Sequence, residues 1–83
     1  MILEENWAVD PGRVRAFFAS LAGSDRIPGG FALDGCTVTI SESEDHLFGK
    51  WPIRRSIVRF DGTEDAVNGA YRRFFLNFLS AGG

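Results

Sequence analysis

Few residues of this 83-residue chain have the chemistry of a catalytic group, and their spacing matches no known catalytic set. His46 is the one histidine, so any histidine-based acid–base mechanism must use it. Its neighbour Asp45 points away from it on an extended chain. Cys36 shares the apolar side of an alternating stretch, where a cysteine behaves as a small hydrophobe. The sequence therefore predicts no catalytic residue and a protein that is not an enzyme.

Metal and phosphate sites receive little more support from the sequence. The run "ESEDH" offers donors that calcium or a transition metal could bind, namely Glu42, Glu44, Asp45 and His46. Its spacing matches no metal-binding loop, and the turn glycine of a calcium loop is missing. The glycines of "PGGFALDG" follow neither the dinucleotide nor the phosphate-loop spacing. We therefore predict a solvated connection at 42–46, no metal and no cofactor.

The stretch "GKWPIRRSIVRFDG", residues 49–62, is the most suggestive part of the chain because it combines aromatic, aliphatic and arginine side chains. Alternation along a strand divides them into two sets. Trp51, Ile53, Arg55, Ile57 and Arg59 form one, and Arg54, Ser56, Val58 and Phe60 form the other. If the helices cover the set with Val58 and Phe60, the open face is too apolar to be only solvated.

Three interpretations of that open face remain. A bulge near Arg55 could shift the alternation, so that Ile53, Ile57 and Phe60 all face the core. The face could instead pack against another copy or another protein, with its arginines at the rim. Finally, it could bind nucleic acid through arginine–phosphate contacts and stacking on an aromatic ring, using Trp51, Arg54, Arg55 and Arg59.

Two further apolar residues favour association. Leu76 falls opposite the apolar stripe of the last helix, and Trp7, in the N-terminal "MILEENW" arm, has no obvious intrachain position. The leading prediction is a small protein-association domain, a homodimer or a subunit of a larger assembly. Its predicted interface residues are Trp7, Trp51, Ile53, Ile57 and Leu76.

The elements that would position these residues are two helices and a small sheet. Asp10 as N-cap and Pro11 at the first helical position predict a helix over 10–22, ended by Gly23. "CTVTIS" alternates as a strand, 53–60 forms another, and "LFGKW" could be a short strand or a loop. "SDRIPGG" is predicted as a loop. Thr63 caps a long last helix, in which Gly69 suggests close approach to another element.

This order predicts an α+β fold, α-β-(β)-β-α, with two amphipathic helices packed on one face of a small antiparallel sheet as a two-layer sandwich. Double-stranded-RNA-binding domains share the order, but lysines begin their last helix where this chain has Glu64 and Asp65. The sequence therefore assigns no family.

Length and composition set the remaining limits. We expect one domain over 1–83, with 1–9 as an N-terminal arm or edge strand. A net charge of −2 gives no overall attraction to polyanions or anionic membranes. One cysteine, no signal peptide and no apolar run long enough to cross a membrane predict a soluble, cytoplasmic protein.

Overall fold

The computed structural model describes the backbone of residues 1–47 and 51–81, and the side chains of residues 1–43 and 54–79. Within these limits there are five strands and two helices. They are β1 (Ile2–Trp7), α1 (Pro11–Ser20), β2 (Asp25–Ile27), β3 (Gly30–Leu33), β4 (Cys36–Leu47), β5 (Trp51–Gly62) and α2 (Glu64–Ala81). The predicted order α-β-(β)-β-α is therefore wrong, because the described chain runs β-α-β-β-β-β-α.

The strands form one antiparallel sheet in the order β1-β5-β4-β3-β2. From β2 to β5, each strand pairs with the next one along the chain, whereas β1 pairs with β5 from the far end of the sequence. β1 and β2 are the two edges. The segment predicted as a loop, "SDRIPGG", contains β2 and the start of β3, joined by a turn at Pro28 and Gly29 (φ +80°). The predicted connection at 42–46 is part of β4.

The helix starts follow local capping signals. The Asp10 carboxylate accepts a hydrogen bond from the Gly12 amide at 2.9 Å, with Pro11 in the first turn. The Thr63 hydroxyl accepts one from the Ala66 amide at 3.3 Å at the start of α2. α1 ends at Ser20, two residues before its predicted end, because Leu21 already has extended dihedral angles.

The core lies on one face of the sheet. In the register, Val38 is opposite Phe60 and Ile40 is opposite Val58. Both helices contribute side chains to the same buried cluster, which comprises Val14, Phe18, Phe31, Cys36, Val38, Ile40, Val58, Phe60, Val67, Ala70, Phe74 and Phe78. The ring of Phe18 lies within about 6 Å of four others, those of Phe17, Phe31, Phe60 and Phe74.

Two glycines of this fold have opposite surroundings. A Cβ on Gly30 would overlap the Val38 carbonyl oxygen, so β3 can approach β4 this closely only because Gly30 has no side chain. A Cβ on Gly69 would meet nothing within 4 Å. The expectation that Gly69 permits close approach is wrong.

Among the described residues, no helix is long and apolar enough to cross a membrane.

Candidate functional site

The β4–β5 register decides between the interpretations of the arginine-rich strand. Pairing advances one residue at a time from Cys36↔Gly62 to Leu47↔Trp51, with no extra residue on either strand. The interpretation that invoked a bulge near Arg55 is therefore wrong. Ser56, Val58 and Phe60 are buried on the core side, and Ile57 lies half-buried on the opposite, open face.

The open face of the sheet is mostly polar around Ile57. Its neighbours across the strands are Asn6 on β1 and Ser41 on β4. Arg59 lies between Glu4 and Thr39 in the same register. Because hydroxyl, amide and carboxylate groups flank Ile57, the described part of this face is not a continuous apolar surface.

The arginines proposed for nucleic-acid binding do not form one basic surface. Arg54 is on the core side of β5, where its guanidinium lies 2.9 Å from the Glu42 carboxylate and 3.5 Å from that of Asp10. On the open face, Arg55 donates to the Asn6 side-chain oxygen at 2.7 Å, and Arg59 is opposite Glu4. Acidic groups thus accompany Arg54 and Arg59, which weakens any attraction to phosphates.

Trp7 has an intrachain position after all, contrary to the sequence-based expectation. Its ring makes edge contacts with Phe74 and Phe75 of α2, at centroid distances of 5.0 and 5.7 Å. Its indole N–H donates to the Glu5 carboxylate at 3.1 Å, and the Tyr71 hydroxyl donates to the same oxygen at 2.9 Å. The pKa of Tyr71 is raised above its usual value, first by burial of the hydroxyl. The hydrogen bond to Glu5 and the negative charge of Glu5 raise it further. Trp7 is consequently half-buried and fixed against α2.

An apolar surface continues from Trp7 along the outside of α2. Leu76 and Leu79 are 55% and 56% exposed and lie one helical turn apart. The half-buried Phe75 connects them to Trp7, since it contacts the indole and precedes Leu79 by four residues. We call Trp7, Phe75, Leu76 and Leu79 the α2 patch. Sequence reasoning found Trp7 and Leu76 but missed Leu79, although its spacing from Leu76 was a usable signal.

The five predicted interface residues therefore do not share one surface. Trp7 and Leu76 belong to the α2 patch, whereas Ile57 is on the far side of the sheet. Trp51 and Ile53 belong to β5, but their side chains lie outside the described residues. Their part in an interface stays a prediction.

The side chains considered for chemistry are not assembled into a site. Cys36 is 5% exposed, and burial raises the pKa of its thiol, which lowers its reactivity at neutral pH. It lines a cavity of about 280 Å³ together with Leu21, Leu33 and Gly69. Glu44, Asp45 and His46 lie outside the described side chains. Among those described, no three acidic, histidine or cysteine groups are placed to hold a metal ion.

Comparison with known proteins gives one result. The family model described as "Archaeal MoaD-like protein" matches residues 7–83, from the end of β1 through α2. No curated protein and no solved structure gave a match. Because the family model covers nearly the whole chain, this protein belongs to the archaeal MoaD-like family.

Proposed function

We propose that this MoaD-like domain is a non-catalytic protein-association domain that binds its partner through the α2 patch. The observation that carries the proposal is the exposure of Leu76 and Leu79, each more than half accessible to solvent on one side of α2. Single exposed leucines are ordinary, but two of them continuous with half-buried aromatic rings are typical of a protein contact surface.

The free energy of burial favours an interface larger than the two leucines. Burying a whole leucine side chain contributes about 1.5–3 kcal/mol, and about half of each leucine is still exposed, so burying the rest of both contributes about 2–3 kcal/mol. Association costs about 4 kcal/mol or more in lost freedom of motion. A stable interface buries about 800 Å² per partner, about a seventh of the 5401 Å² that this chain exposes. The half-buried rings of Trp7 and Phe75 are the adjacent apolar surface that would add to it.

The β1 edge is a second contribution to the same interface. Met1 and Gly62 exchange both backbone hydrogen bonds, so alternation directs the backbone groups of Ile2, Glu4 and Asn6 away from β5. A partner strand could pair with these groups. The charge on Glu4 disfavours indiscriminate pairing at such an edge, which suits a specific partner.

The test is the molar mass of the purified chain, measured by light scattering over a concentration series at low and high salt. We expect a homodimer at both salts, and a monomer for the double variant Leu76→Ser/Leu79→Ser. The matched control is Ile57→Ser, because Ile57 lies half-buried on the open face of the sheet and belongs neither to the α2 patch nor to the β1 edge. A monomer from Ile57→Ser alone would instead place the interface on the open sheet face.

The outcomes separate the two forms of the proposal. A wild-type chain that is monomeric at every concentration would refute the homodimer and leave the role of a subunit in a larger assembly. For that role, the same double variant should lose a partner that crosslinking recovers in cells, whereas Ile57→Ser should keep it. A double variant that keeps both its dimer and its partner would refute association through the α2 patch.

A further inference from the structure

A second cavity lies between α1 and the β2–β3 hairpin, at the opposite edge of the sheet from β1. Its volume is about 260 Å³. Its lining combines two guanidinium groups with apolar and glycine surface, contributed by Arg15, Arg26, Ile27, Gly29, Gly30 and Phe31. Neither the α2 patch nor the arginine-rich strand contributes to it, so its role is independent of the association proposed above.

The two guanidiniums of this cavity have no acidic partner among the described side chains. Within residues 1–43 and 54–79, no ion pair involves Arg15 or Arg26, whereas Arg54 contacts two carboxylates. Asp25 is next to Arg26 but points to the other face of the sheet. Glu42, farther along β4, is bound to Arg54. This is notable in a chain whose eleven acidic residues outnumber its nine basic ones.

The local backbone fixes one of these arginines at the cavity. The Arg15 guanidinium lies 3.5 Å from the Ile40 carbonyl oxygen, and the Ile40 amide donates to the Gly29 carbonyl at 3.0 Å. Ile40, within β4, thereby connects Arg15 to the hairpin turn. Among the described residues, Arg15 makes one contact to a carbonyl and Arg26 makes no hydrogen bond, so most of the five guanidinium donors of each remain available.

Gly29 and Gly30 of the hairpin also line the cavity, but they do not by themselves indicate a ligand. Gly29 has φ +80° in the turn, and Gly30 is required by the close approach of β4. Their conformations are explained by the fold. Both arginine side chains are exposed, so solvent screens their mutual repulsion, and an anion held between them would remove what repulsion remains.

We propose that this cavity binds a small organic anion whose phosphate or carboxylate group lies between Arg15 and Arg26. Guanidinium groups bind both anions through paired N–H donors. The volume corresponds to about eight or nine water molecules at about 30 Å³ each, which exceeds the anionic group alone. It falls just below the ~300–1,000 Å³ of pockets for larger ligands. The rest of the ligand therefore contacts Ile27 and the buried Phe31, and it is small and apolar.

The test is a titration of the isotope-labelled full chain, followed by NMR at the amides of Gly29 and Gly30 and the side-chain N–H groups of the arginines. The probes are inorganic phosphate, phenyl phosphate, acetate and benzoate, each at low and high salt. We expect saturable shifts at these groups, tighter binding of the phenyl compounds than of phosphate or acetate, and weakening by salt. Tighter binding of the two phosphates than of acetate and benzoate would indicate a phosphate ligand, and the reverse order would indicate a carboxylate.

Matched variants locate the binding. Arg15→Gln and Arg26→Gln should each weaken it about three- to tenfold, as expected for a charged hydrogen bond near solvent. Arg15→Lys should restore part of the affinity by restoring the charge. Arg13→Gln is the control, because it removes the same charge from α1 at a residue whose guanidinium lies 5.8 Å from the centre of the Phe78 ring.

Two results would overturn the proposal. One is the absence of saturable shifts at Gly29 and Gly30 with all four probes, in wild-type protein whose spectrum shows it to be folded. The other is equal weakening by Arg13→Gln, which would mean that the anions respond to overall charge. Binding of a single-stranded oligonucleotide that depends on Arg15 and Arg26, without binding of the small probes, would replace the proposal with a nucleic-acid surface.

Discussion

Replacing Gly69 by alanine should stabilise the protein by about 1 kcal/mol, because glycine within a helix costs that much relative to alanine. No steric term opposes the gain, since the added Cβ would have no atom within 4 Å. Unfolding 83 residues carries an entropy of about 170 cal/mol/K, from about 2.1 cal/mol/K per residue. The melting temperature should therefore rise by about 6 °C.

The assay is urea unfolding together with calorimetry, at one fixed protein concentration because association shifts apparent stability. Gly23→Ala is the matched control. Its Cβ would also meet nothing within 4 Å, but Gly23 has φ +81°, so alanine should cost about 1–2 kcal/mol there. A Gly69→Ala protein no more stable than wild type would refute the reasoning and indicate that another chain or ligand contacts α2 at this position.

Three other substitutions test the packing and the titrating groups. Gly30→Ala should destabilise by about 3 kcal/mol or more, because its Cβ would overlap the Val38 carbonyl oxygen; a urea midpoint equal to that of wild type would contradict the β3–β4 spacing. Ser56→Ala should cost about 1–3 kcal/mol, because the fully buried hydroxyl donates to the Val9 carbonyl, which would lose its partner; urea unfolding measures this, and a neutral result would mean that water reaches Val9. Stability should also fall on the alkaline side. Burial raises the pKa of Cys36, so the folded thiol keeps its proton while the unfolded one releases it from about pH 8.5 upward. That contribution is fully present below the unfolded pKa and is lost as pH rises through the folded pKa. Urea midpoints from pH 7 to 10 should decline less in Cys36→Ala; identical declines would show that the thiol is not responsible.

The elements predicted correctly are those with signals in consecutive residues. Asp10 and Pro11 define the start of α1, and Thr63 defines that of α2, because a cap acts within one turn. The alternation of β5 likewise places Val58 and Phe60 in the core. The end of α1 was less predictable, since the chain leaves the helix at Leu21, two residues before Gly23.

The parts of the sheet that the sequence left open depend on partners distant in the sequence. Residues 1–9 are predicted only as an arm or an edge strand, because Glu5 interrupts the alternation of β1. Glu5 lies on the side of the sheet that faces the helices, where it accepts hydrogen bonds from Trp7 and Tyr71. The acidic end of β4 is extended because it pairs with β5, including Glu44 opposite Arg54. Neither relation can be inferred from local propensity.

The candidate sites show the same limit. The spacing of Leu76 and Leu79 on one helix was available from the sequence, whereas the contact between Trp7 and Phe75 joins residues from opposite ends of the chain. Arg15 and Arg26 belong to different elements and line one cavity only because the β2–β3 hairpin lies next to α1. Contacts between residues so far apart in the sequence can be found only from the three-dimensional fold.

The position of β1 beside β5 also has a kinetic consequence. The strands from β2 to β5 pair with their sequence neighbours, so they close short loops, whereas pairing Ile2 with Asp61 closes a loop that includes nearly all of them. Forming such a long-range pair late avoids an early loss of chain entropy. We therefore expect β1 to join an already formed sheet, so that weakening it accelerates unfolding more than it slows folding. Because the same strand is terminal and lies at the sheet edge, we expect domain swapping, where it occurs, to exchange β1.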